Sequence, residues 1–131
     1  MNNPAEDIAT ILLAESDLGL TFAEDLFTVK EPHTPINCTT IFDGVSEAPQ
    51  LTFTKGEDYY YDSVQVRIRH SNYATGYALA HSIMTTLHGI GQDIVNGTLY
   101  SLIRCKNGPA PLGLDDNGRH ILVMNFEIQR R

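Results

Sequence analysis

Five histidines, His33, His70, His81, His88 and His120, are the residues of this chain most able to do chemistry, and a metal centre is what they would serve. Their spacing argues against it. His81 and His88 lie seven residues apart on one side of an expected helix, whereas a helical zinc site places two histidines four apart with a glutamate after the first. His88 falls near a helix C-terminus, where a partly positive imidazole is favoured. Asp115-Asp116-Asn117-Gly118 opens like a calcium loop but lacks its ligand spacing and later glutamate, so a hairpin turn is expected. Gly89-Ile90-Gly91 follows a helix instead of joining a strand to one, which excludes a dinucleotide fingerprint. Ser63 and Ser71 are sequence neighbours of His70, and a catalytic triad is not assembled that way. There is no nucleophile elbow and no phosphate-binding loop. Tyr59-Tyr60-Tyr61 has rings that stack on bases, but in an acidic chain it is expected to straddle a sheet and serve an interface. These residues imply neither an enzyme nor a cofactor.

The bulk properties agree. A chain of 131 residues makes one domain, 1–131, which buries roughly two thirds of the surface its unfolded form exposes. A net charge of -7, with the cations scattered from Lys30 to Arg131, argues against a domain held to nucleic acid by phosphate contacts. Cys38 and Cys105 each lie in a strand-like stretch without a ligand partner nearby, as suits buried thiols in a reducing compartment. The chain lacks a signal peptide and any run of about 18 apolar residues, so a protein off the secretory route, with no membrane span, is expected.

The element that must position everything else runs from Tyr59 to Leu87. Val64, Val66 and Ile68 alternate with Gln65, Arg67 and Arg69, the pattern of a strand with one buried and one wet face, so both arginines are expected to point away from the core. After Ser71-Asn72 the period lengthens. Tyr73, Tyr77, Ala80, Met84, Leu87 and His88 recur at helical steps, with Ser71 or Asn72 as N-cap and Gly89 as the stop. Gly76 inside this helix suggests close packing on a sheet or neighbour.

Upstream, Asn3-Pro4-Ala5-Glu6-Asp7 starts a helix that ends near Ser16, with Ile8, Ile11 and Leu12 as its stripe. Strands are expected at 26–30, 38–42, 98–105 and 120–129, the last with Leu122, Met124, Phe126 and Ile128 on one face. Asn107-Gly108-Pro109-Ala110-Pro111 is expected to break the strand at 98–105, and 112–119 to form a turn. Stretches 44–58 and 89–97 are expected to be exposed loops. The order gives an α+β domain: a mostly antiparallel sheet of about four to five strands, two helices on one face, and a polar face that is solvated or used for assembly.

Taken in order, these pieces resemble the small minor capsid and tail terminator proteins of long-tailed bacteriophages. The likeness runs through Leu18-Gly19-Leu20, Asp25-Leu26-Phe27, the Pro32 to Pro35 turn, Cys38-Thr39-Thr40-Ile41-Phe42-Asp43-Gly44, Val64 to Arg69, Tyr73 to Leu87, Asn96-Gly97 to Ile103 and Pro111 to Arg119. It implies a structural virion protein, assembled in the host cytoplasm, that forms a six-fold ring on the head-proximal end of the tail tube. Such a ring would stop tube growth and dock the head-completion proteins of the neck, while DNA passes its lumen without specific binding. Under that resemblance Arg67, Arg69 and Arg119 are candidates to pair with Asp115 and Asp116 of a neighbouring copy. Leu51, Phe53, Tyr59, Tyr60, Ile90 and Ile94 are candidates to dock partners through the loops. The competing readings are another neck component or a tube subunit and, from a different class, a small enzyme or ligand-binding domain lined by Tyr73, Tyr77, His81 and Met84.

Overall fold

The computed structural model describes residues 1–55 and 58–131, so Gly56 and Glu57 of the expected 44–58 loop lie outside the described residues. Two helices, α1 (Pro4–Ala14) and α2 (Tyr73–Leu87), pack against one sheet of six strands. The strands are β1 (Leu26–Thr28), β2 (Cys38–Asp43), β3 (Tyr60–His70), β4 (Asp93–Val95), β5 (Thr98–Leu114) and β6 (His120–Arg130), in the order β1-β2-β3-β6-β5-β4.

The α+β class stands, and the sheet departs from expectation in three places. First, β1 runs parallel to β2, with Leu26 beside Thr39 and Thr28 beside Ile41, so the sheet is mixed. Second, Asp93–Val95 forms a sixth strand, paired with Thr98–Tyr100 through the turn Asn96-Gly97, whose φ values are 50° and 80°. Positive φ at both central residues is what a tight hairpin turn requires, and Asn-Gly supplies it. Third, β5 does not stop at Asn107 but pairs with β6 as far as Leu114, through register shifts at Tyr100/Leu102, Cys105/Asn107, Asn107/Ala110 and Pro111/Gly113. Proline removes one ladder donor, and bulges on a strand with a free edge absorb that loss.

The core lies where the period-2 and helical stripes meet. Val64, Val66 and Ile68 of β3 and Leu122, Met124, Phe126 and Ile128 of β6 are buried beneath Ala5, Ile8 and Leu12 of α1. On α2 the buried stripe is Gly76, Ala80, Ile83 and Leu87, whereas Tyr73 and Tyr77 stay 41% and 40% exposed. The expected stripe was rotated from the true one because the small residues, not the rings, face the sheet. A Cβ on Gly76 would stand 2.9 Å from that of His70, so glycine is what lets the helix start lie on the end of β3. Both caps form: the side chains of Asn3 and Asn72 accept hydrogen bonds from the N–H groups of Glu6 and Thr75.

A buried polar network closes the far end of the core. The guanidinium of Arg130 donates to Asp62 Oδ2 at 2.5 Å and to the carbonyl of Asn2 at 2.7 Å, with Asp7 at 3.7 Å. Tyr100 donates to Asp7 Oδ2, and Asn96 Nδ2 donates to its other oxygen at 2.8 Å. Burial, then the hydrogen bond to the Asp7 carboxylate, push the Tyr100 phenol far above its ordinary value. Burial works to lower the Arg130 value, but Asp62 outweighs it and the net shift is upward. The network ties the N-terminal helix to the C-terminal strand.

Candidate assembly surface

The sheet face turned away from the helices carries the expected polar row. Across the β3/β6 register Gln65 opposes Asn125, and Ser63 opposes Glu127. Arg69 does not stand in water as expected. The 29–37 segment crosses over it, leaving it 4% exposed, and its guanidinium donates to the carbonyls of His33 (3.2 Å), Pro35 (2.6 Å) and Ile36 (3.1 Å). Glu31 sits between Arg69 at 3.8 Å and Arg67 at 3.5 Å. A buried guanidinium is favoured where carbonyl oxygens of a proline-rich turn have no strand to pair with, and the alternating pattern carries no sign of that cover.

Arg119 faces Asp115 in the same chain, Nε to Oδ2 at 2.6 Å, and donates to the His33 carbonyl at 3.1 Å. Asp115 Oδ1 also accepts from the N–H groups of Asn117 and Arg119, which makes the expected hairpin turn. Desolvation works to raise this carboxyl, but the Arg119 and Asn117 hydrogen bonds outweigh it and hold it below the usual value. Asp116 is exposed on the same turn. Thus four of the five candidate interface charges, Arg67, Arg69, Asp115 and Arg119, already have partners within the chain.

The candidate docking residues separate into two groups. Leu51, Phe53 and Ile94 project into solvent at 87%, 113% and 70% exposure. Tyr59 and Tyr60 are half-buried, and Ile90 bridges to Ile103 and packs on the core. The arm is laid down along the start of β3: Glu47 N–H donates to the Tyr61 carbonyl at 3.0 Å, and Gln50 and Tyr59 exchange two backbone bonds. Its apolar tip therefore stands beyond the sheet on a paired stem. Between the arm and β5 lies an open groove of about 710 Å³, walled by Glu47, Tyr61, Arg104, Lys106 and Glu127. Arg104 donates to Glu127, and Lys106 lies 3.9 Å from its other oxygen. The Arg104 hydrogen bond, then the two positive charges, lower the Glu127 carboxyl.

Among the described residues no group of three or more His, Cys, Asp or Glu is placed to hold a metal ion, and no helix is long and apolar enough to cross a membrane. Tyr73, Tyr77 and His81 lie on the exposed side of α2, Tyr73 edge-on to His120 at 5.5 Å between ring centroids.

The fold is shared with a virion component. Among solved structures it matches a chain described as "Virion of native gene transfer agent (GTA) particle" with a TM-score of 0.69 and 11% identity, covering 98% of this chain and 94% of that one. A second solved chain matches at a TM-score of 0.49 and 12% identity, over 95% of this chain and 96% of that one. No curated protein sequence matches. A family model described as "Bacteriophage tail terminator protein" matches residues 13–131. The chain belongs to the bacteriophage tail terminator family, and it is a structural protein of the virion.

Proposed function

We propose that this protein forms a closed ring, six-fold, on the head-proximal end of the tail tube, where it ends tube polymerisation and presents a surface to the head-completion proteins of the neck. The family match over residues 13–131 carries this reading. A ring is a set of identical heterologous contacts that close, and the bulged, proline-bearing free edge of β5 would help it close, because such an edge resists open-ended strand addition. The protruding arm with Leu51 and Phe53 is suited to dock a second component, since an exposed apolar tip on a paired stem gains by burial. Asp116, exposed beside the Arg119–Asp115 pair, is the charge of that turn open to a neighbouring copy.

Electron microscopy of the purified protein, alone and mixed with tail tubes of the virus that encodes it, tests the proposal. Rings, or added density at the head end of the tube, are the expected outcome. Self-polymerising filaments would instead identify a tube subunit, and a monomer that decorates nothing would end the terminator reading.

A further inference from the structure

Charge is not distributed evenly along this chain. Residues 1–29 hold six carboxylates and no cation, whereas residues 98–131 hold five cations against three carboxylates. The fold joins Arg130 to Asp7 and seats Arg119 on the His33 carbonyl, but it parts other members of these two populations across the sheet. Glu15 and Asp17 lie on the short helical turn after α1, and Glu24 lies on the turn that leads into β1, the first edge strand. Asp17 and Glu24 are exposed, and Glu15 is half-buried. At the other end, Arg104 and Lys106 stand on β5 past the point where β4 covers it, with side chains 55% and 60% exposed. They share the carboxylate of Glu127, Lys106 only at 3.9 Å, and Glu47 stands on the wall of the same groove; the exposed heads of both cations remain open to a further carboxylate, while Asp93 on β4 turns its own to the N–H of Ile94.

We infer that the acidic flank of Glu15, Asp17 and Glu24 on one copy meets the basic β5 flank of Arg104 and Lys106 on the next, and that this pairing sets the head-to-tail order of the ring. The inference rests on the ring reading and supplies its contact. Two molecules of net charge -7 repel in most orientations; an orientation that brings opposite charges together is selected both by the long-range field and by the absence of like-charge contact. A heterologous contact needs two different surfaces on one molecule, and these flanks are different, one presenting carboxylates and the other two exposed cations, and they are separated by the width of the sheet.

The test is a charge exchange read by mass photometry and negative-stain microscopy, on tail tubes if the free protein is monomeric. One variant carries Arg104→Glu and Lys106→Glu, the other Glu15→Lys, Asp17→Lys and Glu24→Lys, both checked for native circular dichroism. Each variant alone should need about tenfold more protein, or higher, to assemble, because both of its flanks now have the same sign. An equimolar mixture should restore rings, since alternating copies again present opposite charges at every contact. Wild-type rings should also loosen as ionic strength rises from about 0.05 M to about 0.5 M. If each variant assembles as the wild type does, if the folded variants fail to rescue one another, or if wild-type rings ignore salt, the contact lies elsewhere and the ring reading still stands. If the wild type forms no ring alone or on tubes, the ring reading itself falls, and the contact with it.

Discussion

At the scale of single residues, the side chains that matter most to this fold are polar ones that burial has turned inward. Arg69 holds three carbonyls of the 33–36 turn, so Arg69→Ala should strand them and destabilise the protein by about 2 kcal/mol in urea unfolding. Arg69→Lys should recover little of this, because an ammonium lacks the planar fork that reaches several acceptors. Tyr100→Phe removes the hydroxyl that satisfies buried Asp7, and a loss of about 1–3 kcal/mol is expected; an unchanged midpoint would mean that Asn96 and Arg130 suffice for that carboxylate. Asp115 gives a pH signature. Its folded value lies below the unfolded one of 3.8, so its contribution is present above that pH and is lost as pH falls through the lowered value. Asp115→Asn should therefore lower the urea midpoint by a constant amount near neutrality, and the gap to wild type should close in acid.

Elements fix the next scale. The helix α2 was legible by position and caps, but its rotation was not, because a sequence with tyrosines and small residues on adjoining stripes offers two plausible faces. The sheet chose the stripe with Gly76, which allows the helix start to reach His70. Alanine is the better helix former by roughly 1 kcal/mol, yet Gly76→Ala should destabilise by about 1–3 kcal/mol, since its methyl group meets a backbone-anchored Cβ at 2.9 Å. A thermal melt shifted upward would contradict this packing account. The sixth strand was announced by Asn96-Gly97, one of three Asn-Gly pairs in the chain, and was hidden by having only three residues on its first arm. The prolines of β5 misled in the opposite direction: they mark breaks in a central strand and are tolerated on a free edge.

For the whole molecule, the arm and the two charged flanks are surface features that the fold does not need. Replacing Phe53 by Ser should leave stability within about 0.5 kcal/mol, because that ring touches no core; loss of neck attachment with rings intact would assign the tip to docking. A variant that loses rings as well would move Phe53 into the subunit contact.

What the sequence by itself determined was periodic or local: the alternation of β3 and β6, the two capped helices, the turn at 115–118, and the order of elements that resembles the tail terminator family, to which the chain belongs. Those signals reside in neighbouring residues, where backbone geometry dictates which side chains share a face. The tertiary structure alone decided what covers each face. The parallel β1–β2 pair, the turn closed over Arg69 and the Asp7–Tyr100–Arg130–Asp62 network all join residues far apart in the chain. Contacts of that kind depend on how the chain returns upon itself, and no local spacing records it.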